Sequence, residues 1–223
     1  MREAFRLLLA GESETWGIVG RSIGFAFFST LFSFAPGVLA GFAAAGSRPS
    51  RRRPAAAFLN ALTALPTVVV GLFVYSLISR SGPFGFLSFM YAPPGVVMGQ
   101  TFLAMPIVAS LVYVGLAKLD PRFRETLLTL GAGRWRRLLA TAREARSVLV
   151  AALVAAFGRV SGEVGVCMML GGNIRGLTRT MTTAIALDAS KGEFERATAL
   201  GLVLLVLAVL VNLAVHALAP REA

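Results

Sequence analysis

Five stretches of this chain are apolar for long enough to cross a bilayer as helices, and they limit the fold more than any other feature. A helix needs about 20 residues to traverse roughly 30 Å of hydrocarbon, and a chain in lipid must satisfy its backbone polar groups internally. The stretches run over residues 16–45, 55–79, 94–117, 148–170 and 197–219. With 56% hydrophobic residues and a mean hydropathy of +0.73, the chain holds more apolar surface than a soluble core of 223 residues requires. The expected fold class is an all-α integral membrane protein, with 16–219 as a single transmembrane domain. The first stretch is long enough to tilt or to begin in the interface. Ahead of it, Leu7–Ala10 is too short for the apolar region of a cleavable signal, and Glu3, Glu12 and Glu14 interrupt the segment. Residues 1–15 are expected to form an amphipathic interfacial leader with Phe5, Leu8 and Leu9 toward lipid. Residues 220–223 are expected to be a short cytoplasmic tail.

A formal charge of +11 raises the question of a nucleic-acid partner, and the placement of the charge answers it. The loop after the first stretch carries Arg48, Arg51, Arg52 and Arg53. The loop after the third carries Lys118, Arg122, Arg124, Arg134, Arg136, Arg137, Arg143 and Arg146. The alternate loops are sparser, with Arg80 and then Arg175, Arg179 and Lys191. Basic residues concentrate on the cytoplasmic side of membrane proteins, so both rich loops are expected inside, the N-terminus outside and the C-terminus inside. The partner of this basic face is the lipid bilayer's inner surface, and no nucleic acid is expected.

Enzyme chemistry finds little support. Gly171 to Gly176 has the glycine spacing of a phosphate-binding loop, but Leu177-Thr178 follows where Lys and then Ser or Thr are needed. There is no H-E-x-x-H and no paired-cysteine metal pattern, and Cys167 and His216 are each the only residue of their type. The chain is expected to have no catalytic residues, metal or cofactor of its own. Glycine pairs four apart, at Gly20 and Gly24, Gly37 and Gly41, Gly95 and Gly99, and Gly158 and Gly162, are expected to mark close helix packing.

The fourth stretch is different, because Arg159 and Glu163 lie four apart on one helical face near its middle. Charges at that depth are costly unless they pair or face water. They are therefore either a structural ion pair or part of a path. The segment that follows is too polar to span and too apolar for an ordinary loop. Gly165, Gly172, Asn173, Thr178, Arg179, Thr180 and Thr182 give it glycine breaks together with amide, hydroxyl and guanidinium groups. Such a segment either lines the outer mouth of an anion path or plugs it as a re-entrant loop.

Between the third and fourth stretches, the 118–147 loop reads as a docking element. Pro121 suits a first helical turn, Phe123, Leu127 and Leu130 recur at helical spacing, and Gly131 and Gly133 are natural terminators. Glu125-Thr126-Leu127, three residues and Gly131 resemble the EAA loop, E-A-A-x-x-x-G, of permease subunits of bacterial binding-protein-dependent ABC importers. Thr126 and Leu127 replace both alanines, and Thr141-Ala142-Arg143-Glu144 stands where Leu-Pro is usual. Gly162-Glu163-Val164-Gly165 and the run Gly172-Asn173-Ile174-Arg175-Gly176-Leu177-Thr178-Arg179-Thr180 resemble the G-E-F-G and G-N-I-x-G-x-T-x-T segments of molybdate, tungstate and sulfate permeases. Glu144-Ala145-Arg146 and residues 182–194 are most similar to the tungstate type.

The resemblance covers the charged leader and the chain from the second stretch onward. It implies a five-transmembrane-helix type I ABC importer permease core in the bacterial inner membrane, paired as a homodimer around a central pathway. It further implies two cytoplasmic ATPase subunits docked on the 118–147 coupling loop, which bind ATP and Mg, and a periplasmic oxyanion-binding protein that delivers the substrate. Asp120, Arg122, Glu125, Thr126, Leu130, Gly131 and Ala132 are implied to face the ATPase. Arg159, Glu163, Gly165, Gly172, Asn173, Thr178, Arg179, Thr180 and Thr182 are implied to line the path or its gate. The implied substrate is tungstate, then molybdate or sulfate; all three are tetrahedral dianions, and their chemistry alone does not separate them. The alternative is a stand-alone anion channel or secondary transporter, although the inverted repeats found in many secondary transporters are not evident.

Overall fold

A computed structural model describes residues 13–218, which hold ten α-helices and one short 3-10 turn. The expectations for most of the 1–15 leader and for the 220–223 tail lie outside the described residues. Helix α1 (Ser13–Ala45) is long and apolar, with Glu14 in its first turn where an acid complements the helix dipole. It is followed by α2 (Pro49–Thr63), α3 (Thr67–Ile78), the 3-10 turn at Gly85–Leu87, and α4 (Pro93–Ala117). Then come α5 (Pro121–Thr129), α6 (Arg134–Glu144), α7 (Arg146–Ser161), α8 (Gly165–Gly171), α9 (Met181–Lys191) and α10 (Phe194–Leu218).

Three of these helices, α1, α4 and α10, are each long and apolar enough to cross a membrane. The other two expected spans are not continuous. Over 55–79 the chain forms α2 and α3, bent by 88°, because Pro66 lacks an N–H and disfavours helical geometry at Leu65. Over 148–170 it forms α7 and α8, bent by 66° at Gly162-Glu163-Val164. Each pair is long and apolar enough for a span only when its two helices are taken together, so a reading by length and hydropathy merges them.

The bundle is organised around α1 against α4. Gly37 and Gly41 lie against Val108 and Val112; a Cβ added at Gly41 would sit 2.8 Å from the Ala109 carbonyl oxygen and from Val112 Cβ. Val108, Val112, Ala104 and Ala26 are buried with Ala152, Ala156 and Val160 of α7, giving one apolar core. Gly99 makes room for Val166 and Leu170 of α8, and Gly158 for Val211 of α10. The glycine-pair expectation fails at Gly20, Gly24 and Gly162, where an added Cβ meets nothing within 4 Å among the described residues. Large apolar side chains such as Phe28, Phe32, Leu205, Val209 and Leu213 face outward. That arrangement costs nothing in a hydrocarbon solvent.

Gly41→Val is expected to destabilise the fold by about 1–3 kcal/mol through overpacking of α1 on α4, whereas Gly20→Val has open space around it and is expected to cost less. Thermal unfolding of the two variants in detergent checks this. An equal loss in both would show that the α1–α4 contact does not depend on its glycines.

Candidate functional site

Breaking a helix within an apolar bundle frees backbone groups that lipid cannot satisfy, and the residues around the α7–α8 break answer that need. Glu163 is 4% exposed and uses both carboxylate oxygens: Arg159 Nη1 donates to Oε2 at 2.9 Å, and the Val166 N–H donates to Oε1 at 3.3 Å. Arg159, in the last turn of α7, and Glu163, in the break that follows, are therefore an ion pair four residues apart, with the Arg159 side chain about half exposed. The Thr182 hydroxyl donates to the Glu163 carbonyl oxygen at 2.7 Å. From α4, the buried Gln100 donates through Nε2 to the Val160 carbonyl oxygen at 3.2 Å and lies 3.2 Å from Cys167 Sγ. Its Oε1 is 3.0 Å from the Ser29 hydroxyl of α1. Five helices thus meet at one polar junction. Gln100 and Ser29 are functional candidates that the sequence reading passed over, although a glutamine inside an apolar stretch is a visible signal.

Beyond α8 the chain folds back through three left-handed residues, Gly172 (φ 66°), Asn173 (φ 51°) and Gly176 (φ 75°). Thr178 is fully buried, donating to the Gly171 carbonyl oxygen and accepting from the Ile174 N–H. Thr180 caps α9 through a reciprocal pair with Thr183. Gly165 packs against Thr67 and Val68 of α3. Among the residues assigned to a path, Thr178, Thr180 and Thr182 are thus buried and bonded within the fold. Asn173 and Arg179 stand together at the bundle end opposite the 118–147 loop, where Arg179 Nη2 is 3.4 Å from the Asn173 carbonyl oxygen. Glu14, Asp188 and Arg196 join them there through ion pairs that no sequence spacing signals.

The 118–147 loop forms α5 and α6. Asp120 caps α5, its side chain accepting from the Arg122 N–H at 2.9 Å. The helix closes through Gly131 (φ 65°): the Gly131 N–H donates to Leu128 O and the Ala132 N–H to Leu127 O, a left-handed glycine cap. Asp120, Arg122, Glu125, Thr126, Leu130 and Gly131 are exposed, and Ala132 is half-buried. With α6, this element stands off from the ends of α1 and α4 around an apolar cleft of about 1200 Å³ that includes Phe42, Tyr113, Phe123 and Trp135. α6 continues into α7 with only Ala145 between them. Ala145 is buried, donates to Thr141 O and accepts from the Leu149 N–H, each at 2.9 Å.

Gly20-Arg21-Ser22-Ile23-Gly24 has the G-x-S-x-G spacing of serine hydrolases, but it lies within α1 rather than at a strand-to-helix turn. The Ser22 hydroxyl donates to Ile18 O and accepts from the Met181 N–H, so it serves as a helix contact.

A membrane bundle with two broken spans and an exposed, glycine-capped helix on its basic loop has the architecture of a transport component. Residues 37–223 match the family described as binding-protein-dependent transport system inner membrane component, and the chain belongs to that family. It is a permease subunit of an ABC importer, a transport component of the inner membrane and not an enzyme. It is 33% identical over 217 residues to the tungstate uptake system permease protein TupB of Peptoclostridium acidaminophilum, covering 97% of this chain and 95% of that protein. It is 38% identical over 153 residues to TupB of Campylobacter jejuni, covering 69% and 64%. The type I permease fold is shared with a solved inward-facing structure of the MetNI methionine ABC transporter, with a TM-score of 0.74 at 18% identity over 94% of this chain and 100% of that one. Family membership displaces the alternative of a stand-alone channel or secondary transporter.

Removing the Glu163 carboxylate leaves the Arg159 guanidinium and the Val166 N–H without their acceptor, at a cost of about 1–3 kcal/mol for each group stranded. Glu163→Ala is therefore expected to lower both thermal stability and uptake, and Glu163→Gln, which keeps an acceptor oxygen, to lower them less. Equal, near-wild-type uptake by both variants would show that the junction does not need the acid.

Proposed function

We propose that this permease moves a tetrahedral oxyanion into the cytoplasm by alternating access, with tungstate as the preferred substrate and molybdate or sulfate next. The near full-length similarity to a tungstate uptake permease carries the proposal, and the glycine-broken Gly172–Thr180 segment with its two arginines supports it. Two copies enclose the path. The basic 118–147 loop faces the cytoplasm, with the N-terminus outside and the C-terminus inside, an orientation that the charge asymmetry supports.

In this arrangement α5 of each copy seats in a groove of a cytoplasmic ATPase. Asp120, Arg122, Glu125 and Thr126 supply polar contacts, Leu130 supplies an apolar one, and Gly131 and Ala132 form the turn that permits close approach. Closure of the ATPase pair on ATP and Mg draws the two α5 helices together. Because α6 runs almost unbroken into α7, the displacement reaches the Glu163 junction as a lever movement. The bends at α2–α3 and α7–α8 are where φ and ψ can absorb it. Arg159, Glu163, Gly165 and Thr182 then belong to the gate, and Gly172, Asn173, Thr178, Arg179 and Thr180 to the outer mouth. A periplasmic binding protein delivers the anion to that mouth and carries most of the selectivity, so the path itself need only be hydrated and weakly attractive.

Reconstitution in liposomes with the ATPase and the binding protein tests the proposal. Tungstate is expected to stimulate ATP hydrolysis and uptake at lower concentration than molybdate or sulfate. Glu125→Lys is expected to abolish stimulation while the chain still inserts in the membrane. Absence of stimulation by all three anions would overturn the substrate assignment, and full stimulation of Glu125→Lys would overturn the coupling role of α5.

A further inference from the structure

At the bundle end opposite the 118–147 loop, Glu14, Asp188 and the more exposed Glu193 meet a group of arginines, and the first two are held in different ways. Asp188, in α9, is fully buried and takes a bidentate fork from Arg196 of α10, with Nε and Nη2 at 2.7 and 2.6 Å. This is the strongest geometry available to such a pair. Glu14, in the first turn of α1, is approached by three guanidinium groups and is incompletely satisfied. Its Oε2 takes a hydrogen bond from Arg175. Its Oε1 is buried and accepts none among the described residues, with Arg179 Nη1 at 3.7 Å and Arg196 Nη1 at 4.0 Å, both beyond hydrogen-bond distance.

The donor side is equally under-used. Arg179 Nε is buried and has no acceptor among the described residues, and the Arg179 side chain is only 13% exposed, while Arg175, at 72%, forms a rim open to solvent. With Glu14 seated, Arg175 and Arg179 keep one positive charge in excess. With Glu14 gone they hold two, equal to the charge of a tetrahedral dianion. Such an anion presents four acceptor oxygens, enough to engage the Arg179 N–H groups that a single carboxylate leaves idle.

We infer that Glu14 is a displaceable internal counter-ion: its carboxylate occupies an oxyanion entry site formed by Arg175 and Arg179, and the arriving dianion exchanges with it. The inference rests on the oxyanion import proposed above. Between deliveries Glu14 offsets one of the two guanidinium charges and so weakens the retention of a passing anion. During delivery it weakens net binding, so that the substrate can leave the mouth for the path. Asp188 and Arg196 have the opposite role, fixing the α9–α10 corner against which the exchange takes place.

The test measures bound tungstate and molybdate by equilibrium dialysis with elemental analysis, on the permease–ATPase complex without binding protein. Glu14→Gln is expected to bind both anions at least five-fold more tightly than wild type, and Arg179→Gln at least five-fold more weakly. Glu14→Asp, which keeps the charge but withdraws it by one methylene, is expected to bind at least two-fold more tightly; it decides the matter if Glu14→Gln fails to assemble. Binding by the assembled Glu14 variant that is unchanged, weaker or undetectable overturns the counter-ion role and leaves Glu14 as a structural tie. Uptake by the complete wild-type transporter with its binding protein separates the two claims. Transport of one oxyanion without tighter binding by the variant removes only the role of Glu14, whereas transport of none removes the substrate assignment.

Discussion

A spanning helix that breaks must find new partners for the backbone groups it releases, and lipid offers none. That requirement, met at Gly162-Glu163-Val164, governs the rest of this structure. The Val160 carbonyl is reached from α4 by Gln100, the Val166 N–H by Glu163, and the Glu163 carbonyl by Thr182 of α9. Each partner comes from a different part of the chain, so the break is stable only when α4, α7, α8 and α9 are all in place. The buried carboxylate is tolerated because Arg159 pairs with it and carries the charge toward solvent. A continuous fourth span would need none of these contacts. It would also be unable to redirect the chain into the Gly172–Thr180 turn, where Arg175 and Arg179 stand.

The two halves of the molecule divide rigidity from exposure. Glycines 37 and 41 bring α1 and α4 close enough that a single methyl group would collide with the facing backbone, and close packing of that kind resists deformation. The α5–α6 element, by contrast, stands away from the same helices around an apolar cleft, with Leu130 and Trp135 about three-quarters exposed. Its connections to the interior are residues 118–120, which join α5 to α4, and α7, joined to α6 through the buried Ala145 and packed on α1, α4 and α10. In the coupling proposed above, a displacement of α5 reaches the polar junction by two routes, through α7 and through α4, which carries Gln100.

How much of this was legible in the sequence depended on what each residue costs in lipid. Helices α1, α4 and α10 follow directly from their apolar length. Arg159 and Glu163 stood out because an ionised group in a spanning segment always calls for a partner. Gln100 and Ser29 were passed over because neutral polar residues hardly change a hydropathy average, yet they carry the link between α1 and the broken span. Pro66 was a visible stop signal overridden by the hydropathy on either side of it. The threonines at 178, 180 and 182 show that hydroxyls after a glycine break can serve a path and a turning backbone alike, since each is buried and bonded within the fold. The Asp188–Arg196 fork was illegible because it depends on the reversal at Gly192 (φ 80°), which no periodicity specifies.

The arginines show why residue counts carry less information than geometry. On the basic loops, Arg51, Arg53, Arg122, Arg134, Arg136, Arg143 and Arg146 are exposed. Solvated charge of that kind orients a membrane chain at small energetic cost. At the other end there are fewer arginines, but Arg179 and Arg196 are mostly buried and converge with Arg175 on Glu14, while Arg196 also forks onto Asp188. Removing a guanidinium from water is worthwhile only where an anion meets it, and the number and seating of the anions then become the relevant quantities. Both Asp188 oxygens accept from Arg196, whereas among the described residues one Glu14 oxygen and one Arg179 nitrogen have no hydrogen-bond partner. The sparsely charged end of the chain is therefore where charge has been placed most specifically, and a topology rule based on abundance directs attention to the opposite face.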